Sequence, residues 1–230
     1  MSIAATRTKG KPAPLPMPRM LWDATTTPDV VTAPARTVLA LDGQGAPEGA
    51  SFQNSVGAIY GVAYALKFAR KKAGRGDFKI GPLEARWWSD HPSRRLPDVP
   101  RDAWRWQLRM ALPDDVAPAE LARTIEDVTH KKGGKLAGSR EAVRLALAAL
   151  PATRFGRVLH IGPYSAEAES FARITGHLEN AGLAFGNAHS EVYLSDPRRM
   201  KPEKLKTVLL LELVLPRNGA RLRASMQSSR

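Results

Sequence analysis

The sequence predicts an α+β fold in which two β-α-β-β repeats form an antiparallel sheet, with helices packed on one side and a ligand cleft between the repeats. Three observations lead to this prediction. Segments with alternating apolar residues indicate strands, and segments with apolar residues every three to four positions indicate helices. The order strand, helix, strand, strand occurs twice. The dipeptide Ser89-Asp90 follows the middle strand of one half and Ser195-Asp196 that of the other, as expected for related units.

The first repeat is predicted to span about residues 36–112. Its helix is expected to begin at Ser51, whose side chain could cap the first turn. The last strand of this repeat has the clearest alternation in the sequence, because Trp104, Trp106 and Leu108 share one face. The predicted elements are a strand over 38–41, a helix over 51–72 and strands over 79–88 and 104–110.

A linking helix over about 117–132 and a second repeat over about 142–215 complete the predicted body of 36–215. The segment 143–150 is expected to pair as a hairpin strand with residues 154–161. The remaining predicted elements are a strand over 157–161, a helix over 165–180 and strands over 188–194 and 207–215.

The two ends of the chain differ from this body in composition. Residues 1–35 are basic and rich in proline, which predicts an extended and mostly irregular arm. Residues 216–230 contain four arginines and no acid, which predicts a basic tail. About half of the net charge of +13 lies in these two segments. We therefore expect weak, nonspecific contact with nucleic acid and no dedicated nucleic-acid site.

Composition excludes several other classes of protein. The chain has 230 residues, 43% of them hydrophobic, and no cysteine, so disulfides, thiolate metal sites and cysteine nucleophiles are excluded. The longest apolar run, 208–215, is too short to cross a bilayer, and the N-terminus does not resemble a secretion signal. We expect a cytoplasmic protein without membrane contact. The five histidines lack the spacing of zinc ligands, so no metal site is predicted.

The strand around Glu191 is the strongest candidate for chemistry. Side chains two residues apart share a strand face, so His189, Glu191 and Tyr193 lie together. In an aromatic pocket this carboxylate would be partly desolvated and suited to act as a general base or to meet a cationic ligand. The alternative is an exposed strand edge with Glu191 in solvent, and the sequence does not decide between the two.

One cleft carboxylate is expected rather than a symmetric pair. When the two Ser-Asp dipeptides are superposed, Glu191 falls opposite Ala85, so Glu84 is not its counterpart in the first repeat. This argues against the two-carboxylate arrangement of glycosidases. Large rings such as Trp106 on a strand face are also more often core than binding surface.

Five collinear runs between about residues 20 and 214 carry a family resemblance. The sequence resembles the standalone GyrI-like small-molecule-binding proteins over this range. The runs are Phe52-Gln53 with Tyr64-Ala65-Leu66-Lys67-Phe68, Pro82-Leu83-Glu84-Ala85-Arg86-Trp87-Trp88, Trp104-Arg105-Trp106, His160-Ile161-Gly162-Pro163-Tyr164, and Glu191-Val192-Tyr193-Leu194-Ser195-Asp196-Pro197-Arg198.

This resemblance implies a bacterial protein related to the effector-binding domains of multidrug-responsive regulators. In those domains a glutamate placed like Glu191 faces aromatic, often cationic, ligands. The resemblance also includes cyclopropanoid cyclopropyl hydrolases, which detoxify DNA-alkylating compounds by adding water to a three-membered ring. The sequence departs from the family in its basic ends and in having Ala85-Arg86 where relatives commonly carry a glycine-containing pair.

The leading hypothesis is therefore an aromatic cleft that binds flat hydrophobic molecules and hydrolyses cyclopropanoid electrophiles without metal or organic cofactor. The alternatives are a non-catalytic drug-binding, sequestering or regulatory module, and a DNA- or gyrase-interacting protein that uses its basic ends. A monomer or a homodimer is expected. The predicted catalytic residues are Glu191, Tyr193 and Tyr64, and the predicted ligand-binding residues are Trp87, Trp88, Trp106, Glu84, Tyr164 and His189.

Overall fold

A computed structural model describes residues 21–91, 96–131 and 139–214 of the protein. Most of the predicted N-terminal arm and the whole predicted C-terminal tail lie outside these residues. The elements of the described part are β1 (Asp29–Ala33), β2 (Arg36–Gln44), α1 (Ala50–Lys72), β3 (Leu83–Trp88), β4 (Arg105–Ala111), α2 (Pro118–Lys131), α3 (Ser139–Ala142), β5 (Ala146–Leu150), β6 (Thr153–Ile161), α4 (Glu167–Asn180), β7 (Phe185–Tyr193) and β8 (Lys206–Leu213).

The eight strands form one open sheet in the order β1-β6-β8-β7-β3-β4-β2-β5, and every neighbouring pair is antiparallel. The predicted α+β class with an antiparallel sheet is thereby confirmed. In each half the last strand, β4 or β8, lies between the other two, and β3 pairs with β7 at the centre. The relationship of the two halves as repeats stays a prediction.

The longest helix, α1, forms because apolar residues recur on one of its faces, where they pack into the main core. Its N-cap is Gly49, which makes no side-chain cap, so the prediction of a Ser51 cap is wrong. The carbonyl of Ser51 instead accepts a hydrogen bond from the Ser55 hydroxyl at 2.7 Å. The helix ends before Gly74, whose φ of 70° suits a residue without Cβ.

Helices α1 and α4 cover the same face of the sheet. Beneath α1 the core contains Leu41 from β2 and Leu108 from β4, which are cross-strand partners. Beneath α4 it contains Leu209 from β8, which packs with Ile174 and Leu178 of the helix. The register across the central strands places Leu209 and Leu108 on one face, so the two helices flank the β3–β7 pair from the same side.

The structure corrects two predictions near the sheet edges. Residues 29–33, inside the predicted irregular arm, form β1 and pair with β6. The predicted hairpin of 143–150 with 154–161 is wrong, because β5 pairs with β2 at the opposite edge of the sheet. There the side chain of Leu147 packs against the core beneath α1, whereas both edges of β6 are occupied by β1 and β8.

Candidate functional site

The centre of the sheet presents its candidate residues in cross-strand pairs. Along the β3–β7 pair, Leu83 lies opposite Tyr193, Ala85 opposite Glu191, and Trp87 opposite His189. Since paired residues share a sheet face, all of these side chains point toward the side covered by α1 and α4. Ala85 has the smallest side chain among them and is fully buried opposite Glu191.

The carboxylate of Glu191 is held by both of its neighbours on the same strand face. The Tyr193 hydroxyl donates a hydrogen bond to Oε2 at 2.7 Å, and His189 Nε2 donates to Oε1 at 3.0 Å. The side chain of Glu191 is 12% exposed, which excludes the alternative of a carboxylate in open solvent. Burial and the Glu191 charge raise the pKa of Tyr193 well above 10, so this phenol keeps its proton and remains a donor.

A second carboxylate, Glu167, lies close to this cluster. It is the first residue of α4, it is 8% exposed, and its Oε1 has no hydrogen-bond partner among the residues that the structure describes. Burial, with the charge of Glu191 as the second cause, raises the pKa of Glu167 to about 9. The site therefore combines one carboxylate held by donors with one carboxylic acid that retains its proton at neutral pH.

The structure thus places a second carboxyl group near Glu191, and this group comes from α4 and not from Glu84 in the other half. The sequence does contain a signal for the second one, because Glu167 lies four, seven and eleven residues before Phe171, Ile174 and Leu178 on the apolar stripe of α4. An acid on such a stripe faces the sheet and not the solvent.

Aromatic rings surround the two carboxyl groups on the α4 side. The ring of Tyr164 meets that of Tyr193 edge to face at a centroid distance of 5.9 Å, and Phe171 meets His189 at 4.8 Å. Burial, with the charge of Glu191 next, raises the pKa of Tyr164 to about 12. Tyr164 is nevertheless 40% exposed, so one part of its ring is open to a ligand.

The α1 side contributes a ladder of stacked rings. Tyr60 stacks on Tyr64 at 6.4 Å, and Tyr64 stacks on Phe68 at 6.2 Å, as their spacing of four residues on a helix allows. Tyr64 is 45% exposed and is therefore accessible. Burial and the neighbouring Tyr64 raise the pKa of Tyr60.

Two of the predicted tryptophans belong largely to the core. Trp106 is fully buried against Phe52, with ring centroids 5.2 Å apart, and offers no surface to a ligand. Trp87 is almost fully buried and stacks on Phe52 at 5.1 Å. Its indole lies beside the Tyr193 hydroxyl, and this contact opposes the rise in the pKa of that phenol.

Glu84 and Trp88 lie on the opposite face of the sheet from Glu191, because their positions on β3 alternate with those of Ala85 and Trp87. The Glu84 carboxylate is fully buried there between Arg36 at 2.7 Å and Arg109 at 2.9 Å. Burial would raise the pKa of Glu84, but the two arginines hold it below its usual value. We therefore assign Glu84 to the interior of the fold.

The described residues contain no group of three or more histidine or acidic side chains placed to hold a metal ion. In the same part of the chain, no helix combines the length and the apolar character that crossing a membrane requires.

No protein-family model and no curated protein matches the sequence, whereas solved structures do. An uncharacterized conserved protein from Listeria innocua is 31% identical, with a TM-score of 0.76 over 85% of this chain and 96% of that one. A hydrolase from Listeria innocua is 30% identical, with a TM-score of 0.72 over the same shares. The C-terminal domain of EcmrR is 11% identical and shares the fold, with a TM-score of 0.50 over 82% of this chain and 97% of that domain.

The Listeria proteins match over nearly their whole length. The chain therefore belongs to the family of GyrI-like small-molecule-binding proteins.

Proposed function

We propose that the cleft above β3 and β7 binds flat, hydrophobic small molecules and hydrolyses cyclopropanoid electrophiles among them. The observation that carries this proposal is a pair of buried carboxyl groups in different surroundings, since Glu191 is held by two donors whereas Oε1 of Glu167 has no hydrogen-bond partner among the described residues. Glu191 accepts hydrogen bonds from His189 and Tyr193, while Glu167 retains its proton. A base and an acid side by side are what general acid-base catalysis needs at neutral pH. The Listeria relative named a hydrolase supports a hydrolytic reaction.

In the proposed reaction Glu191 removes a proton from water as the water oxygen bonds to a ring carbon of the substrate. The carbon–carbon bond of the three-membered ring breaks, and its electron pair moves into the conjugated carbonyl, which becomes a phenolate-like oxygen. A proton donor on the cleft wall then supplies the proton that this oxygen takes up. Glu167 and Tyr164 on the α4 side, and Tyr64 on the α1 side, are the candidates for this donor.

Tyr193, predicted from the sequence as a catalytic residue, is proposed to act on the base. Its hydroxyl donates to Glu191, so we assign it to positioning the base and not to stabilising the substrate oxygen. His189 shares this role through Oε1. Trp87 is proposed to support the floor of the cleft, and Tyr64 and Tyr164 to contact the planar part of the ligand.

The test is the substitution Glu191→Gln, assayed with a spirocyclopropane substrate by mass spectrometry. We expect the wild-type protein to add one water to the substrate, and the variant to turn over at least about 100-fold more slowly while still binding it. Glu169→Gln is the matched control, because Glu169 lies two residues after Glu167 on α4 and is exposed. A wild-type protein that returns the substrate unchanged would contradict hydrolysis, and an active Glu191→Gln variant would remove this residue from the mechanism.

A non-catalytic binding module is the second candidate. It is favoured by the absence of any lysine or arginine paired with Glu191 among the described residues, since an unneutralised carboxylate among rings suits a cationic aromatic ligand. In this case the same experiment returns unchanged ligand, and Glu191→Gln weakens the binding of cationic ligands more than that of neutral ones.

A further inference from the structure

A cavity lies on the face of the sheet opposite Glu191. It has a volume of about 310 Å³ and is formed where the pairing of β7 with β8 is interrupted between Phe185 and His189. Its walls include Arg86 and Trp88 at the end of β3, Ser89, and Glu212 on β8. This volume is at the lower end of the range of pockets that hold small molecules.

Arg86 lacks a counter-ion at this position. Its guanidinium lies over the Trp88 ring at 5.2 Å from the ring centroid, and no carboxylate in the described part of the chain forms an ion pair with it. The nearby Glu84 is already held by Arg36 and Arg109. Burial, and next the charge of Arg109, lower the pKa of Arg86, so a bound anion would stabilise its charged form.

Glu212 supplies the opposite charge to the same cavity. The charge of Glu212 favours the charged form of Arg86, but the two side chains are too far apart to form an ion pair. Both side chains are partly buried. The cavity is therefore lined by one cation and one anion that are held apart, with an indole beside them.

We propose that this cavity binds a small zwitterion that carries a carboxylate, an amino group and an aromatic ring. The carboxylate would pair with Arg86, whose planar fork suits it, and the amino group would pair with Glu212. The ring would lie against Trp88. An aromatic α-amino acid is the simplest molecule with these three groups. This site is separated from the proposed catalytic cleft by the sheet, and the proposal does not depend on the hydrolase activity.

The test is isothermal titration calorimetry of the full chain with L-tryptophan. We expect saturable binding to the wild-type protein and at least about tenfold weaker binding to Arg86→Gln and to Glu212→Gln, since each removes one charge-assisted contact. Arg123→Gln and Glu126→Gln on α2 are matched controls at exposed positions. Glu191→Gln, in the cleft, should also bind tryptophan as the wild type does. Tryptamine and indole-3-propionate each lack one charged group and should bind at least about tenfold more weakly than tryptophan.

Several results would overturn the proposal. The first is no saturable binding of tryptophan at millimolar concentration. The second is binding that is lost in Glu191→Gln but kept in Arg86→Gln, which would place the ligand in the cleft. The third is equal affinity for indole-3-propionate, which would exclude the role of Glu212. Thermal unfolding of each variant identifies any that fails to fold. If Arg86→Gln or Glu212→Gln does not fold, the other of these two variants and the affinities of the two analogues still test the proposal.

Discussion

The variant Glu167→Gln is expected to become more stable relative to the wild-type protein as the pH rises. In the folded protein the buried Glu167 has a pKa of about 9, whereas an exposed glutamate has the usual value near 4.5. Between these values the folded chain holds a proton that the unfolded chain releases. The stability of the wild-type protein therefore falls as the pH increases through this window, and it is greatest below pH 4.5 as far as this group is concerned. Glutamine does not titrate, so the variant lacks this loss.

The magnitude follows from the width of the window. One proton difference changes the free energy of unfolding by at most about 1.4 kcal/mol per pH unit. Between pH 5.5 and 7.5 the wild-type protein should therefore lose up to about 3 kcal/mol relative to Glu167→Gln. For a chain of this length that corresponds to a difference in Tm of roughly 6–12 °C. Above about pH 9 the difference should stop growing, because Glu167 is then ionised in both states.

Thermal unfolding followed by circular dichroism at pH 5.5, 6.5, 7.5 and 8.5 measures this difference. Glu169→Gln, an exposed substitution on the same helix, should give a Tm that runs parallel to that of the wild type at every pH. If the Tm curves of Glu167→Gln and the wild type are also parallel, Glu167 does not hold a proton in the folded protein. The acid in the proposed reaction would then have to be a tyrosine.

Three further substitutions test the packing and the buried ion pair of the fold around the site. Gly43→Ala should destabilise the protein by about 1–3 kcal/mol, because a Cβ there would lie 2.1 Å from the Trp106 ring. Gly176→Ala, in an open position on α4, should stabilise the protein by about 0.5–1 kcal/mol. Urea unfolding measures both changes in the free energy of unfolding, and changes of the same sign would contradict this prediction. Arg36→Met should lower the free energy of unfolding by about 3–5 kcal/mol at neutral pH, because Glu84 loses the partner of its Oε2. The loss of stability should be smaller at pH 4, where the Glu84 carboxyl can be protonated. A loss below about 1 kcal/mol at pH 7 would show that Arg109 alone is enough to stabilise the buried carboxylate.

Much of the fold could be predicted because its strands alternate clearly. The period of two placed Trp106 and Leu108 on one face of β4, and placed Glu191, His189 and Tyr193 together on β7, as the structure has them. The same alternation separates Glu84 and Trp88 from Trp87, so the predicted ligand-binding set combined residues from two faces of the sheet.

Other features depend on tertiary contacts that a local pattern does not contain. The strand β1 is preceded by prolines, and its pairing with β6 is decided by residues more than 100 positions away. The segment of β5 is short and apolar, so its composition suits either sheet edge, and the position of Leu147 against the core beneath α1 decides between them. Glu167 differs from these two cases, because its place on the apolar stripe of α4 is a local signal, but the charge of a glutamate usually indicates an exposed position.

The single-residue alternation of β3 constrains how proteins with this fold could vary. Ala85 and Trp87 lie on the same sheet face as Glu191, and Glu84 and Arg86 lie on the opposite face. Deleting one residue before this strand would exchange the two sets. The Glu84 carboxylate would then lie on the face of Glu191, and the Trp87 indole would lie on the face where Arg36 and Arg109 now hold Glu84. Changes in ligand preference should therefore arise by substitution at positions such as 85, where a larger side chain would lie directly opposite Glu191, and not by insertions or deletions in this strand.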